Sequence, residues 1–175
     1  MPLLLDRWHC LANTCEQSVR LVVLSADRPD RIALMESAKA DIVLNPHAAD
    51  GMASSIKAGL GAVPERCEAA LFLPADMPEV TQDDLTLIRK AHASAPQNII
   101  RAATPDGTPG NPVLFPRRFF NELTAISGDE GGRRVIKRHA GQVELVALPD
   151  DHASLDLDTP EDWDNWRARK SGSTK

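Results

Sequence analysis

Apolar and polar positions alternate between two periods along this chain. Leu4, Leu5, Trp8 and Leu11 are spaced as on one face of a helix, which predicts a helix over Pro2 to Thr14. The unbroken run from Leu21 to Leu24 predicts a buried strand over Arg20 to Ser25, and Asp27-Arg28-Pro29 then turns the chain into a helix over Pro29 to Ala38. A short strand over Asp41 to Leu44 stops at Asn45-Pro46, and Ala53 to Ala62 is helical in character. Ala69 to Leu73 is the clearest buried strand, and it ends at Pro74-Ala75-Asp76-Met77-Pro78. A helix over Asp83 to Ala93 and a strand over Asn98 to Ala102 follow, then a Gly/Pro-rich loop or hairpin arm from Thr104 to Pro112 that leads into Val113-Leu114-Phe115. The spacing predicts helices over Arg117 to Ile126 and Gly131 to His139, and a strand over Val143 to Leu148. A last helix starts at Pro160, N-capped by Asp158 or Thr159 and carrying acids in its first turn. Strands alternating with helices predict a three-layer α/β domain around a mostly parallel sheet. One domain covers residues 1–169, and a polar, disordered tail is expected over 170–175.

Bulk properties narrow the function classes. The 175 residues suffice for one sizeable core, and the net charge of −5 argues against a general nucleic-acid binder. No apolar run approaches the ~20 residues that cross a bilayer. Met1 to Leu5 is too short for a signal peptide and runs into Asp6-Arg7. Cys10, Cys15 and Cys67 fit neither a disulfide framework nor a metal-ligand spacing, so a cytoplasmic protein with reduced thiols is expected. His9, His47, His92, His139 and His152 are scattered, and none is expected to bind metal.

Four stretches could carry chemistry. Asp76 follows a buried strand, where an open α/β sheet faces its ligand crevice; the plainer reading makes it a helix cap or an Asx-turn residue. Asp156 and Asp158 share one side if their stretch is extended, and with Asp76 they would make an all-oxygen site suited to Mg²⁺. Capping alone would also explain Asp158. Asn45 and Gly51-Met52-Ala53-Ser54-Ser55 combine a glycine that permits close approach with hydroxyls at a helix start, an arrangement able to meet an anion or a base edge. Gly128-Asp129-Glu130-Gly131-Gly132-Arg133-Arg134 places two arginines after paired glycines, either to hold a phosphate or as a solvated loop.

In this order, Asn45-Pro46 with Gly51 to Ser55, Leu73 to Pro78, Gly110 to Phe115, Gly128 to Gly131 and Asp156 to Asp162 resemble the nucleotidyltransferases of molybdenum-cofactor biosynthesis (MobA-like and MocA-like), most of all the molybdenum cofactor cytidylyltransferases. The resemblance covers nearly the whole chain. It implies a Rossmann-like fold and transfer of CMP or GMP from an NTP to the terminal phosphate of molybdopterin, with release of pyrophosphate. It makes Asp76 the catalytic, metal-binding acid and Asp156 or Asp158 its metal-side partner. Gly51, Met52, Ser54 and Ser55 fall, with Asn45, on the nucleotide side; Asn111, Pro112, Gly128, Asp129 and Gly131 fall on the acceptor side. CTP is the favoured nucleotide and GTP the other candidate; a molybdoenzyme or its chaperone is an expected partner, whereas nucleic acid and membrane are not. The family opens with a strand and a Gly-rich triphosphate loop, and this sequence aligns from just downstream of that loop. Two alternatives therefore stand beside the enzyme: a non-catalytic binding protein serving molybdenum enzymes, and a sugar-phosphate nucleotidyltransferase.

Overall fold

The computed structural model describes residues 1–12, 18–128 and 131–172. Cys15 lies outside the described residues. Helix α1 (Leu3–Ala12) is followed by strand β1 (Val22–Ser25), helix α2 (Pro29–Ser37), strand β2 (Ile42–Asn45), helix α3 (Met52–Gly61) and strand β3 (Ala69–Phe72). Helix α4 (Gln82–Ser94), strands β4 (Ile99–Ala103) and β5 (Pro109–Pro116), and helices α5 (Phe120–Thr124) and α6 (Arg133–Arg138) come next. Strand β6 (Val143–Ala147) and helix α7 (Pro160–Gly172) complete the order. The predicted elements are therefore all present, with shifts of one to a few residues at their ends. The tail predicted from residue 170 is helical through Gly172, because α7 continues across Lys170 and Ser171.

The strands are mostly parallel, as expected, with one of them reversed. β1 and β2 pair in parallel, Val22 opposite Ile42 through Ser25 opposite Asn45. A four-stranded sheet runs in the order β3-β5-β4-β6, and in it β4 and β6 are parallel while β5 is antiparallel to both its neighbours. The Gly/Pro-rich arm is the cause. Thr104 N–H donates to the Thr108 carbonyl and Gly107 N–H to the Thr104 carbonyl, a tight reversal that sends β5 back alongside β4.

The sheet is buried on both faces. Ile99, Val113 and Phe115 pack on one side against Ala53 and Leu60 of α3, Phe120 and Leu123 of α5 and Val135 of α6. Ile100, Ala102 and Leu114 pack on the other against Ile88 of α4 with Leu148 and Ala153. This is why the strands read as continuous apolar runs. Two helices serve both sheets. In α1, Trp8 joins Leu24 and Met35 while Cys10 joins Met77, Val80 and Leu85. In α3, Ile56 and Leu60 pack in the cluster that takes in Ala70 and Phe72, and Gly59 lies against Val23. In the four-stranded sheet the ends of β3, β4 and β6 thus share one edge with the start of β5.

Candidate active site

Asp76 sits on that edge, in the turn that leaves β3. It caps no helix: α4 is capped by Thr81, whose Oγ1 accepts from Asp84 N–H while the Asp84 carboxylate accepts from Thr81 N–H. Residues far away in sequence hold the turn rigid. Met77 and Val80 are buried at 2% and 1% exposure, and the buried Arg7 guanidinium of α1 donates to the carbonyls of both. Arg7 escaped sequence analysis because its partners are backbone carbonyls 70 and 73 residues away, and such partners leave no sequence signal.

The second acidic stretch is tied to the first. Leu157 N–H donates to the Asp76 carbonyl at 3.0 Å, and the Leu157 side chain is buried. Asp156 and Asp158 flank it and are exposed. α7 is capped by Thr159, in a reciprocal pair with Asp162, so Asp158 is free of capping duty. Burial pushes the Asp76 carboxyl above its ordinary range, and the negative charges of Asp158 and Asp156 add to that shift. Its Oδ1 is buried without a hydrogen-bond partner among the described residues. An orphaned carboxylate oxygen with two further carboxylates in electrostatic range offers hard oxygens, the donors a divalent cation such as Mg²⁺ or Mn²⁺ takes. Among the described residues no three His, Cys, Asp or Glu side chains form a ready-made cage. Asp76 supplies the fixed oxygen, and Asp156 and Asp158 lie within electrostatic range on a surface stretch.

The start of β5 adjoins the same loop. Asn111 N–H donates to the Ala153 carbonyl at 2.9 Å, and a Cβ on Gly110 would fall inside that carbonyl, so only glycine allows the approach. The Asn111 side chain is exposed, while Pro112 is buried.

The predicted nucleotide side forms a second group. Asn45 is 2% exposed; its Nδ2 donates to Ser54 Oγ at 2.8 Å and Ser55 Oγ at 3.1 Å, and its Oδ1 accepts from His47 N–H at 2.9 Å. Ser54 Oγ in turn donates to the Gly51 carbonyl. Asn45 and Ser54 therefore hold the end of β2 against the first turn of α3. Gly51 takes φ +91° at the junction, and Met52 beside it is 60% exposed. Met52 reaches across to the loop after α5, where its Sδ would lie 2.8 Å from a Cβ on the buried Gly131. The start of α3 and the loop after α5 thus meet at Met52 and Gly131. Gly128 faces open space, and Asp129 lies outside the described residues. His152 meets Asp84 at 2.8 Å and His139 meets Glu122 at 2.9 Å.

The mixed α/β sheet, with Asp76 in the turn that leaves β3, is that of an α/β protein of the nucleotidyltransferase class, and solved structures share this fold. Rv0371c of Mycobacterium tuberculosis, in complex with manganese, superposes with a TM-score of 0.77 at 22% identity, covering 93% of this chain and 84% of that one. The 4-diphosphocytidyl-2C-methyl-D-erythritol synthase of Anaerococcus prevotii superposes with a TM-score of 0.76 at 14% identity, covering 97% and 86%. The chain belongs to the MobA-like NTP transferase family, whose model matches residues 7–143. It is 31% identical over 107 residues to the purine catabolism protein PucB of Bacillus subtilis, over 59% of this chain and 49% of PucB, so the match spans about half the length of that relative. Among the described residues no helix is long and apolar enough to cross a membrane.

Proposed function

We propose that this protein transfers a nucleotidyl group, CMP before GMP, from an NTP to the terminal phosphate of a molybdopterin-type acceptor, releasing pyrophosphate. The observation that carries the reading is the Asp76 carboxylate, with one buried oxygen left without a partner among the described residues, in a turn to which the stretch bearing Asp156 and Asp158 is hydrogen-bonded. Manganese in the Rv0371c complex and the cytidyl product in the name of the Anaerococcus synthase support the metal and the base choice.

Asp76, Asp156 and Asp158 would hold the divalent cation, which supplies charge neutralisation at the transferred phosphorus. The remaining work is positioning. Arg7 and the buried Met77 and Val80 fix the Asp76 turn, and the Leu157–Asp76 hydrogen bond keeps the two acidic stretches in register. Asn45, Ser54 and Ser55 set the first turn of α3, on which the exposed Met52 faces the nucleotide. Asn111 and the loop from Gly128 to Gly131 border the acceptor. A phosphate oxygen of the acceptor is already anionic, so no side chain is required to remove a proton from it.

The test is incubation of the protein with CTP or GTP, molybdopterin-bound molybdenum cofactor and Mg²⁺, with pyrophosphate release and the dinucleotide product followed by mass spectrometry. CTP-dependent appearance of both supports the reading. Pyrophosphate release without the dinucleotide moves the acceptor elsewhere, and tight nucleotide binding with no turnover leaves a binding protein.

A further inference from the structure

α7 is a polar helix in which Trp163 and Trp166 are the only large apolar side chains. Trp166 has a structural duty. Its Nε1 donates to Glu79 Oε1 at 2.6 Å, and Lys170 Nζ donates to Glu79 Oε2 at 2.8 Å. Glu79 stands three residues beyond Asp76, so these bonds fasten α7 to the Asp76 turn. Trp163 joins no core cluster of the described residues. Its partly exposed ring meets Trp166 edge to face, with centroids 6.0 Å apart and planes at 86°. A neighbour that is itself anchored therefore braces the Trp163 indole.

Trp163 lines a cavity of about 470 Å³, within the roughly 300–1,000 Å³ of small-molecule sites. Asp158, Pro160, Asp164 and Arg167 complete the lining. Pro160, Trp163, Asp164 and Arg167 follow the i, i+3, i+4, i+7 spacing of one helix face, so successive turns of α7 build the wall. A backbone contact joins this cavity to the acidic edge: Asp158 follows Leu157, whose N–H donates to the Asp76 carbonyl at 3.0 Å. The lining carries two carboxylates and one guanidinium. The Arg167 guanidinium lies 5.3 Å from the centre of the Trp163 ring and 3.3 Å from the Asp164 carboxylate. Those two charged side chains are 64% and 79% exposed, so their ion pair is weak and open to exchange.

We propose that this cavity is the subsite for the ring of the acceptor, a flat heterocycle with adjacent N–H donors, stacked on Trp163 and hydrogen-bonded to Asp164. A braced indole offers a large flat face at little cost in freedom. A carboxylate accepts two parallel N–H bonds from the edge of such a ring. With two acids against one base, the lining favours an uncharged ring that carries donors over an anionic one. Arg167, released from Asp164 by the ligand, covers the second face of the ring, since guanidinium planes stack on aromatic faces. The assignment rests on the nucleotidyltransferase reading. Asp158 belongs both to the cavity and to the acidic edge, so an acceptor seated by its ring carries its phosphate toward Asp76.

The experiment is equilibrium dialysis of the protein against pterin (2-amino-4-hydroxypteridine), in EDTA and without nucleotide, with bound ligand read by its own fluorescence. Wild type, W163A, W163F and D164N are compared, and a calorimetric Mg²⁺–CTP titration is run on the same four proteins. The expected result is pterin affinity at least tenfold weaker in W163A, at least threefold weaker in D164N and within threefold of wild type in W163F, with CTP affinity within twofold throughout. Asp164 is 79% exposed, so D164N reads the subsite even if W163A disturbs α7. The proposal is overturned by pterin affinity unchanged in W163A or D164N, by no pterin binding to wild type up to its solubility limit, or by CTP affinity falling in parallel. If wild type transfers CMP to the molybdopterin cofactor yet binds no pterin, the subsite fails and the transfer reading stands. If pterin binds through Trp163 and Asp164 while CTP does not bind wild type, the nucleotide reading fails and the subsite stands.

Discussion

Leu157 N–H donates to the carbonyl of Asp76 at 3.0 Å, across 81 positions of sequence. One backbone bond thus sets the spacing between the acid after β3 and the two acids before α7. Each prediction below follows from a contact that builds or supports this edge.

Replacing Asp76 with Asn separates function from stability. A metal-side carboxylate should cost at least the ~100-fold at the upper end of outer-sphere substitutions when removed. Stability should move the other way. Burial and the nearby acids raise the Asp76 pKa, so the ionised group opposes folding at neutral pH. The penalty is absent below the ordinary carboxyl pKa, near pH 3, and fully present above the raised value. Melting curves in EDTA should show D76N more stable than wild type at pH 7 and equal to it near pH 3. Added Mg²⁺ should raise the melting temperature of wild type and leave D76N unmoved. A variant with wild-type turnover would dismiss the assignment.

Asn45 tests the nucleotide side. Its amide satisfies two hydroxyls and one backbone N–H from a position 2% exposed. Asn45→Ala strands these groups and should cost about 3 kcal/mol by the usual penalty for buried unpaired groups. A chain of this size then melts roughly 6–12 °C lower. Differential scanning calorimetry at pH 7 reads this directly, and the nucleotide KM should rise because the first turn of α3 loses its anchor.

His152 pins the loop that carries the acids. Its Nδ1 meets the Asp84 carboxylate at 2.8 Å, and Asp84 also caps α4 with Thr81. His152→Ala should loosen residues 150–158 without touching the reacting groups. Mn²⁺ affinity, followed by electron paramagnetic resonance, should fall about tenfold, in the range seen for second-layer contacts to metal ligands. Unchanged affinity would make the His152–Asp84 contact a matter of stability alone.

Gly110 has no room for a side chain against the Ala153 carbonyl. Gly110→Ala must push the 153–158 loop away from β5 or distort the strand entry, at a cost of about 3 kcal/mol, the upper end for overpacking. Urea unfolding gives the size, and hydrogen exchange at Asn111 should report the loss of its 2.9 Å bond to Ala153. Gly107, which faces open space at φ +86°, serves as a control for glycine strain without the clash.

Much of this was legible beforehand because it is local. Hydrophobic period located each element, and the abrupt stop of Ala69 to Leu73 at Asp76 marked the strand end. The alternation around Leu157 placed Asp156 and Asp158 together on the exposed side. The direction of β5 was left open between a loop and a hairpin arm, since a strand's apolar pattern is the same whichever way it runs, and the Thr104–Thr108 reversal made it the hairpin arm. The capping choice between Asp158 and Thr159 was open in sequence, because either side chain can cap; the bond from Asp162 N–H settled it for Thr159 and released the acid.

The sequence by itself determined the order of elements, the buried faces and the place of Asp76 after a strand, since these depend on periodicity and on residues within a turn of one another. Only the tertiary structure decided that β5 runs backwards between β3 and β4, that Arg7 grips the Asp76 turn and that Asn45 is taken up by two serines. Those facts depend on contacts between separate segments, whose partners are carbonyls and hydroxyls, and none of these imprints a period on the chain.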